Sequence, residues 1–314
     1  MSVVAIILAR GGSKTIPLKN IEVMAGKPLI WYSIDCCLNT PLIDHVVVST
    51  DSSLIREDVY HHFGDKIEIV DRSEETATDE ATSEAAIFDA LAKTVFGKYI
   101  DQVCLVQCTS PLTDPEDLTN LIKQITEEGK DSAGFYVEDY GYFYEDDLTI
   151  PRTPRQLMTP KKRETGNAWC FTSSGFYKHK SRLFGNVGIV KIDKPKDLEI
   201  DEWYDMQMAS SLLNYRKLLR AKDQIIYVDI DHTLFESSLP HYTVRREISR
   251  MVELINFLYT YNHIILWTAR GSVTGIDQLE KTKKQIEQYK IKHHDIRVGK
   301  PMYAFWIDDK AIVV

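Results

Sequence analysis

Residues 3–20 read VVAIILARGGSKTIPLKN. Seven apolar residues run without interruption and then stop at Arg10, Gly11, Gly12, Ser13 and Lys14. An unbroken apolar run of this length, bounded by glycine, reads as a strand buried on both faces. Glycines at its end let the backbone approach a phosphate closely, and exposed N–H groups with Arg10 and Lys14 would neutralise that phosphate. A basic glycine turn is equally often only a turn, and the G-x-x-x-x-G-K-[ST] spacing of a Walker loop is absent.

The pattern repeats outward from that stretch. HVVVST, KIEIV and QVCLVQ read as further buried strands, and PLIWYSIDCCLN and SEAAIFDALAKTVF place apolar residues at helical spacing between them. Strand–helix–strand alternation predicts an α/β fold with an open, mostly parallel sheet. From about residue 135, GFYVEDYGYFYEDD and NAWCFTSSGFYKH are aromatic and β-prone, which predicts an inserted antiparallel section. DEWYDMQMASSLLNYRKLLRA reads as a helix. A second apolar strand series opens at DQIIYVDIDHTLF and continues through HIILWTAR and YAFWIDD. Between them lies a helix whose buried face is Ile248, Met251, Leu254, Ile255 and Leu258. The 314 residues therefore divide into two domains, 1–217 and 218–314, the second a smaller β-α-β unit.

Charge is unevenly spread. Residues 223–314 carry 12 Lys+Arg and 12 Asp+Glu, so the whole net charge of −8 falls on residues 1–222. An acidic domain makes a poor nucleic-acid binder, so no nucleic-acid partner is expected. Within it Arg152, Arg155, Lys161, Lys162 and Arg163 cluster against the trend, either as a solvated loop or as a local anion site. No apolar run approaches the roughly 18 residues a membrane helix needs, so no membrane partner is expected. The N-terminus lacks the basic region and cleavage site of a signal peptide. Five cysteines show no metal or disulfide spacing. Together these predict a cytoplasmic protein.

LARGGSKTIPLKNI resembles the signature loop of the CMP-sialic acid synthetase (acylneuraminate cytidylyltransferase) family, with Thr15 where the usual form has Gly. The resemblance extends over roughly residues 1–215. DRSEETATDEATSEAAI is similar to the family's second nucleotide-binding segment, which implies that Arg72 and Ser83 lie near the base or ribose. LVQCTSPL is similar to a Q-x-T-S-P-L stretch whose Gln, here Gln107, meets the sugar acid. PRQ supplies Arg155 and Gln156, read as contacts for the substrate carboxylate or a phosphate. TGNAWCF stands in place of an Asn-Gly-Ala-like turn, with the order altered. LEIDEWYDMQMA resembles the acidic metal segment, where Asp201 matches one metal-linked Asp and Glu199 replaces another. The residues alone also allow Asp201 to be a helix N-cap.

The resemblance implies transfer of CMP from CTP to the anomeric hydroxyl of a sialic-acid-like 2-keto sugar acid, with release of pyrophosphate. Arg10, Gly11, Gly12, Ser13, Lys14 and Asn20 would hold the nucleotide, Arg10 and Lys14 acting on the triphosphate with Mg²⁺. A different acceptor, such as another keto acid or a phosphonate, is the alternative. The family's members are usually dimers, which implies a homodimer or higher oligomer.

In the second domain, VDIDHTLF puts Asp229, Asp231 and Thr233 just past a strand. Two carboxylates two positions apart repel, and a cation between them relieves this. With Thr268 after HIILWT, Lys300 in VGKP, and Asp308 and Asp309 after AFWI, the set resembles the four motifs of the haloacid dehalogenase superfamily. That resemblance implies a Mg²⁺-dependent phosphatase in which Asp229 is the nucleophile and Asp231 the general acid and base. Thr268 and Lys300 would hold the phosphoryl oxygens. Asp308, Asp229 and the carbonyl of Asp231 would bind Mg²⁺. Such a phosphatase would dephosphorylate the sugar-acid precursor; the alternatives are an unrelated substrate or a purely structural domain. Arg270 reads equally as a phosphate support or as a surface residue, and His232 replaces the Gly found in many members. Neither gap between the motifs has room for a folded cap domain, so within this domain only ESSLPHYTV could move over Asp229, and the site is expected to be open or covered by the other domain or a second subunit.

Overall fold

The computed structural model describes residues 2–97, 99–142, 152–238 and 241–301. The chain divides into two compact units, Met1–Ser210 and Ser211–Val314. The division falls inside a helix.

The first unit is built on a seven-stranded sheet. Its parallel part comprises β1 (Val3–Leu8), β4 (His45–Thr50), β5 (Glu68–Asp71) and β6 (Gln102–Val106), with a short hairpin of β2 (Val23–Met24) and β3 (Lys27–Pro28) after β1. The helices α1 (Leu29–Leu38), α2 (Ser53–Phe63), α3 (Ser83–Lys93) and α4 (Pro115–Thr126) connect and follow these strands. Alternate residues of β1 serve two cores. Val3, Ala5 and Ile7 meet Ile30 and Ile34 of α1, Ile55 and Val59 of α2, and Leu118 and Leu121 of α4. Val4 and Ile6 join the cluster that holds Ile87 and Leu91 of α3. A strand covered on both faces has no polar side to present, which is why β1 reads as one apolar run.

The remaining elements of this unit are β7 (Ser132–Asp139), β8 (Lys161–Thr172), α5 (Ser173–His179) and β9 (Val187–Lys191), with α6 (Trp203–Leu219) crossing the division. The sheet order is β5-β4-β1-β6-β8-β7-β9. The aromatic section is antiparallel as expected, but β8 enters the main sheet and pairs with β6 on one side and β7 on the other. Against β6 its register is regular, with Val106 opposite Ala168. Against β7 it jumps from Gly134↔Trp169 to Tyr136↔Glu164. Thr165–Ala168 therefore swell out on the β7 side. TGNA is an excursion within a strand rather than a free turn.

The second unit has a parallel three-stranded sheet in the order β10 (Ile225–Val228), β13 (His263–Trp267), β14 (Asp295–Arg297). An antiparallel pair, β11 (Phe235–Ser238) and β12 (Thr243–Glu247), precedes α7 (Ser249–Leu258), and α8 (Leu279–Gln288) lies between β13 and β14. Met251, Ile255 and Leu258 of α7 pack with Val228, Ile230, Ile264, Leu266 and Ile286, while Ile248 and Leu254 sit at the margin of that core. Strand β14 is absent from the sequence reading because DIR has no apolar run. The strand expected at YAFWIDD, with Asp308 and Asp309, lies outside the described residues. The segment ESSLPHYTV supplies most of the β11–β12 pair.

Candidate active site

Side chains that must meet at one place have to leave the sheet by one edge. In a parallel sheet that edge is where the strands' carboxyl ends open. Arg10 follows β1, Asp51 and Ser52 follow β4, Arg72 follows β5 and Gln107 follows β6. The first loop is pulled tight there. Gly11 N donates to Asp51 Oδ1 at 2.8 Å. A Cβ on Gly11 would stand 2.8 Å from Ser52 Cβ, so only glycine fits this approach. Asn20 is buried, and its amide nitrogen donates to the Arg10 carbonyl at 3.0 Å while its oxygen lies 3.0 Å from Cys108 Sγ. Asn20 thus braces the loop from beneath.

The two cations of the loop share one carboxylate. Arg10 Nη1 lies 2.6 Å from Asp79 Oδ1, and Lys14 Nζ lies 2.6 Å from Asp79 Oδ2. Their hydrogen bonds hold the Asp79 carboxyl below the usual range. Arg72 is turned to the acidic segment, where its Nε donates to the Thr76 carbonyl at 2.9 Å and its Nη2 also reaches that oxygen. Ser83 is the first residue of α3, whose N-cap is Thr82. Gln107 is fixed through its backbone, with its N donating to Asn167 O and its carbonyl accepting from Ser33 Oγ, both at 3.0 Å.

The acidic pair is drawn to the same edge by the loop after β6. Ile200 N donates to Thr109 O at 2.8 Å, and Thr109 Oγ1 donates to Glu199 Oε1 at 3.2 Å. Glu199 lies against the β8 excursion, where a Cβ on Gly166 would come within 2.6 Å of Glu199 Oε2. The altered T-G-N-A order therefore leaves room for the longer carboxylate arm. Asn167 anchors the excursion through its side-chain nitrogen, which donates to Thr113 Oγ1 at 2.9 Å and Lys196 O at 2.8 Å. Asp205, the third residue of α6, accepts at Oδ2 from Asp201 N at 3.0 Å and Glu202 N at 2.8 Å, the two residues just before the helix. The Asp201 side chain is 72% exposed.

Burial and the neighbouring charge of Asp201 raise the Glu199 carboxyl above its ordinary value, and a cation would relieve that repulsion. Two hard carboxylates at the same sheet edge as the glycine loop are of the type that would suit Mg²⁺. Among the described residues no group of three or more His, Cys, Asp or Glu is arranged to hold a metal. Lys19 is the residue the sequence reading passed over. Its Nζ donates to Ile200 O at 2.6 Å and lies 3.3 Å from Asp201 Oδ1. The signal was the cation next to Asn20 in the opening stretch. Arg155 and Gln156 sit in a one-turn helix, Arg155–Leu157. The Arg155 guanidinium lies 5.3 Å from the centre of the Tyr140 ring. Arg155 lines a cleft of about 400 Å³ with Tyr140, Lys191 and Lys194. Of the basic cluster, Arg163 is paired to Asp139 at 3.3 Å and Asp197 at 2.6 Å.

The second unit repeats the one-edge logic. Asp229 follows β10, Thr268 follows β13 and Lys300 follows β14 by three residues. Lys300 Nζ donates to Asp229 Oδ1 at 2.9 Å, and Lys300 N donates to Thr268 O at 3.1 Å. Arg270, one of the two readings of which was a surface residue, is fully buried through its side chain. Its Nε and Nη2 donate to Asp231 Oδ2 and Oδ1, both at 2.7 Å. Its Nη1 reaches Thr282 Oγ1 at 3.3 Å and Gln285 Oε1. Its guanidinium lies 5.3 Å from the Tyr242 ring centre. Thr268 Oγ1 accepts from Arg270 N at 3.1 Å and stands 3.5 Å from Asp231 Oδ2. Burial works to raise the Asp231 carboxyl, but the Arg270 hydrogen bonds and charge outweigh it and hold the group below the usual range. Both oxygens of the Asp231 side chain are thus engaged by Arg270. His232 adopts φ +62°, the left-handed turn that glycine takes without cost.

The first unit is thus an α/β nucleotide-site architecture, with a tight glycine loop, two cations and two carboxylates on one sheet edge. Residues 4–184 match the family model described as Cytidylyltransferase, and the chain belongs to that family. It is 32% identical over 185 residues to N-acylneuraminate cytidylyltransferase A of Danio rerio, covering 57% of this chain and 42% of that one. It is 38% identical over 124 residues to CMP-N,N'-diacetyllegionaminic acid synthase of Legionella pneumophila, covering 39% of this chain and 53% of that one. These matches span about half the length of those two relatives. A third, pseudaminic acid cytidylyltransferase of Campylobacter jejuni, is 29% identical over 229 residues, which cover 68% of this chain and 96% of its own. The fold is also that of a CMP:2-keto-3-deoxy-manno-octonic acid synthetase solved with CTP, at TM-score 0.52 and 15% identity over 69% of this chain and all of that one. Among the described residues no helix is long and apolar enough to cross a membrane.

Proposed function

We propose that the first unit transfers CMP from CTP to a 2-keto sugar acid of the sialic, legionaminic or pseudaminic type. The observation that carries this reading is the Arg10–Lys14 cation pair on a glycine loop at the same sheet edge as Glu199 and Asp201. The anomeric oxygen of the sugar acid attacks the α-phosphorus, the bond to the β-phosphate breaks, and pyrophosphate leaves with its charge. Arg10 and Lys14 bind the phosphates and stabilise the charge that develops on the leaving group, while the backbone after Gly11 lets them approach. Lys19 holds Asp201 in place. When bound, Mg²⁺ would neutralise phosphate charge, and Glu199 and Asp201 are the residues that would hold it. Gln107 and Arg155 are assigned to the acceptor. The test is pyrophosphate release from CTP and Mg²⁺ with a panel of sialic, legionaminic, pseudaminic and octulosonic acids. Release with one sugar acid and not without it supports the reading; release with none of them overturns it. The enzyme is expected to work in the cytoplasm and as a homodimer or higher oligomer, and light scattering of the full chain would check the oligomeric state.

For the second unit, the Lys300–Asp229 contact at 2.9 Å supports phosphoester hydrolysis with Asp229 as nucleophile. Asp229 attacks phosphorus, the alcohol leaves, and water hydrolyses the aspartyl-phosphate. Lys300 and Thr268 hold the phosphoryl oxygens. Asp231 in its clamped, ionised form suits the later step, taking a proton from water; protonating the alcohol requires the Arg270 clamp to loosen. Phosphate release from sugar-acid phosphates by the full chain tests this, and inertness toward all phosphoesters would return the unit to a structural role.

A further inference from the structure

We infer that residues Ser73–Thr82 form a strap whose Asp79 holds the place of the nucleotide's phosphates between Arg10 and Lys14, and that nucleotide binding displaces it. The inference rests on the reading of the first loop as a phosphate site.

The strap is tied down at both ends. At its start Ser73 N and Oγ donate to Asp89 Oδ2 and Oδ1 at 2.9 and 2.6 Å. Lys93 Nζ donates to Ser73 Oγ and Asp71 O at 2.6 Å each. Arg72 closes the turn Glu74–Thr76 by donating to the Thr76 carbonyl. At its far end Thr82 Oγ1 accepts from Ala85 N at 3.1 Å and caps α3. Between these anchors Thr78, Asp79 and Glu80 are exposed. This crest is joined to the loop after β1 by the Asp79 ion pairs.

The manner of that contact matches what it would replace. Asp79 presents one oxygen to each cation, as two oxygens of a phosphate group would. The Lys14 side chain is 79% exposed and that of Asp79 38%, so the contact is made where solvent already reaches it. Exposed pairs of this kind are weak and screened by salt. A single carboxylate therefore shields the two cations from singly charged anions and gives way to a polyphosphate, which brings more charge to the same two groups. The fixed ends mean that displacement moves only the crest, while Arg72 and Ser83 stay with their anchors.

The experiment is CTP binding to the full chain by calorimetry, with steady-state KM and kcat alongside, for wild type, Asp79→Asn, Glu80→Gln and Arg10→Ala. Asp79→Asn should tighten CTP binding by about 3- to 10-fold, the scale of one or two exposed ion pairs, with kcat unchanged. Inorganic phosphate should then inhibit at correspondingly lower concentration. Glu80→Gln, which removes the same charge one residue away, should leave binding at the wild-type value. Weaker or unchanged CTP binding in a folded Asp79→Asn protein would overturn the strap, as would equal tightening by Glu80→Gln. If Arg10→Ala binds CTP as well as wild type, the phosphate-loop reading itself is wrong. If it binds weakly and Asp79→Asn does not tighten, only the strap is wrong.

Discussion

Both units set cations against carboxylates at the carboxyl edge of a parallel sheet, yet the two arrangements differ in how much water they keep. In the first, Arg10 and Lys14 share Asp79 with side chains 33%, 79% and 38% exposed. In the second, Arg270 is 0% exposed against an Asp231 at 18%, and Arg270 is further braced by Thr282 and Gln285. An exposed pair costs little to break because water and salt compensate each partner. Removing one partner of a buried pair leaves an uncompensated charge, which is expensive. The first arrangement can therefore exchange its anion, while the second is a fixed part of the fold that holds the Asp231 carboxylate in place. Lys300–Asp229, with side chains 11% and 34% exposed, lies between these extremes.

The largest expected effect separates the two sites by chemistry. Asp229→Asn should reduce phosphoester hydrolysis to background while CMP transfer persists, and loss of both in a protein of unchanged stability would break the separation. Arg270→Met should destabilise the second unit by about 3–5 kcal/mol, read as a shift in its denaturant midpoint. A shift of under about 1 kcal/mol would mean that the pair behaves like the surface pair. Arg10→Ala should lower the rate of pyrophosphate release by roughly two to three decades, about 3–4 kcal/mol of transition-state stabilisation, with the melting temperature nearly unchanged.

Acidification sharpens the contrast. Asp231 titrates below the ordinary value in the folded chain, so its pairing contributes stability above the unfolded carboxylate pKa of about 3.9 and loses it as pH falls through the depressed folded value. The stability gap between wild type and Arg270→Met should close across that acid window, and a gap that persisted below it would point to lost packing instead. The smallest expected effect is that of Lys14→Ala. At 79% exposure it should raise the KM for CTP only a few-fold, the scale of about 0.2–1 kcal/mol. A loss as large as that of Arg10→Ala would show that the loop closes over its ligand and buries Lys14.

The parallel strands were legible because burial on both faces writes itself as unbroken apolar runs, as in VVAIIL and HVVVST. Strand β14 was not, because three residues of DIR at the side of a small sheet carry no such run. The opening loop was legible as well, since glycine after a buried strand and clustered charge are local features. Arg270 stayed open between two readings because a charged residue after a strand looks the same in sequence whether it faces water or a carboxylate 39 positions away. Asp201 stayed open between cap and ligand because a carboxylate shortly before a helix reads the same in either role.

The sequence by itself determined the succession of the apolar strands and the loops after them, and with it the edge of each sheet at which the chemistry-bearing residues emerge. That follows from strand period, burial and the parallel rule, which are all local or pairwise along the chain. Only the tertiary structure decided which of those residues meet a partner within the chain. Asp79 lies on Arg10 and Lys14, Arg72 on Thr76, Lys19 on Ile200 and Asp201, and Arg270 on Asp231. Most of these pairings join residues far apart in sequence. Their strength depends on how much water the surrounding packing removes, a property of the assembled fold that no single stretch of sequence contains.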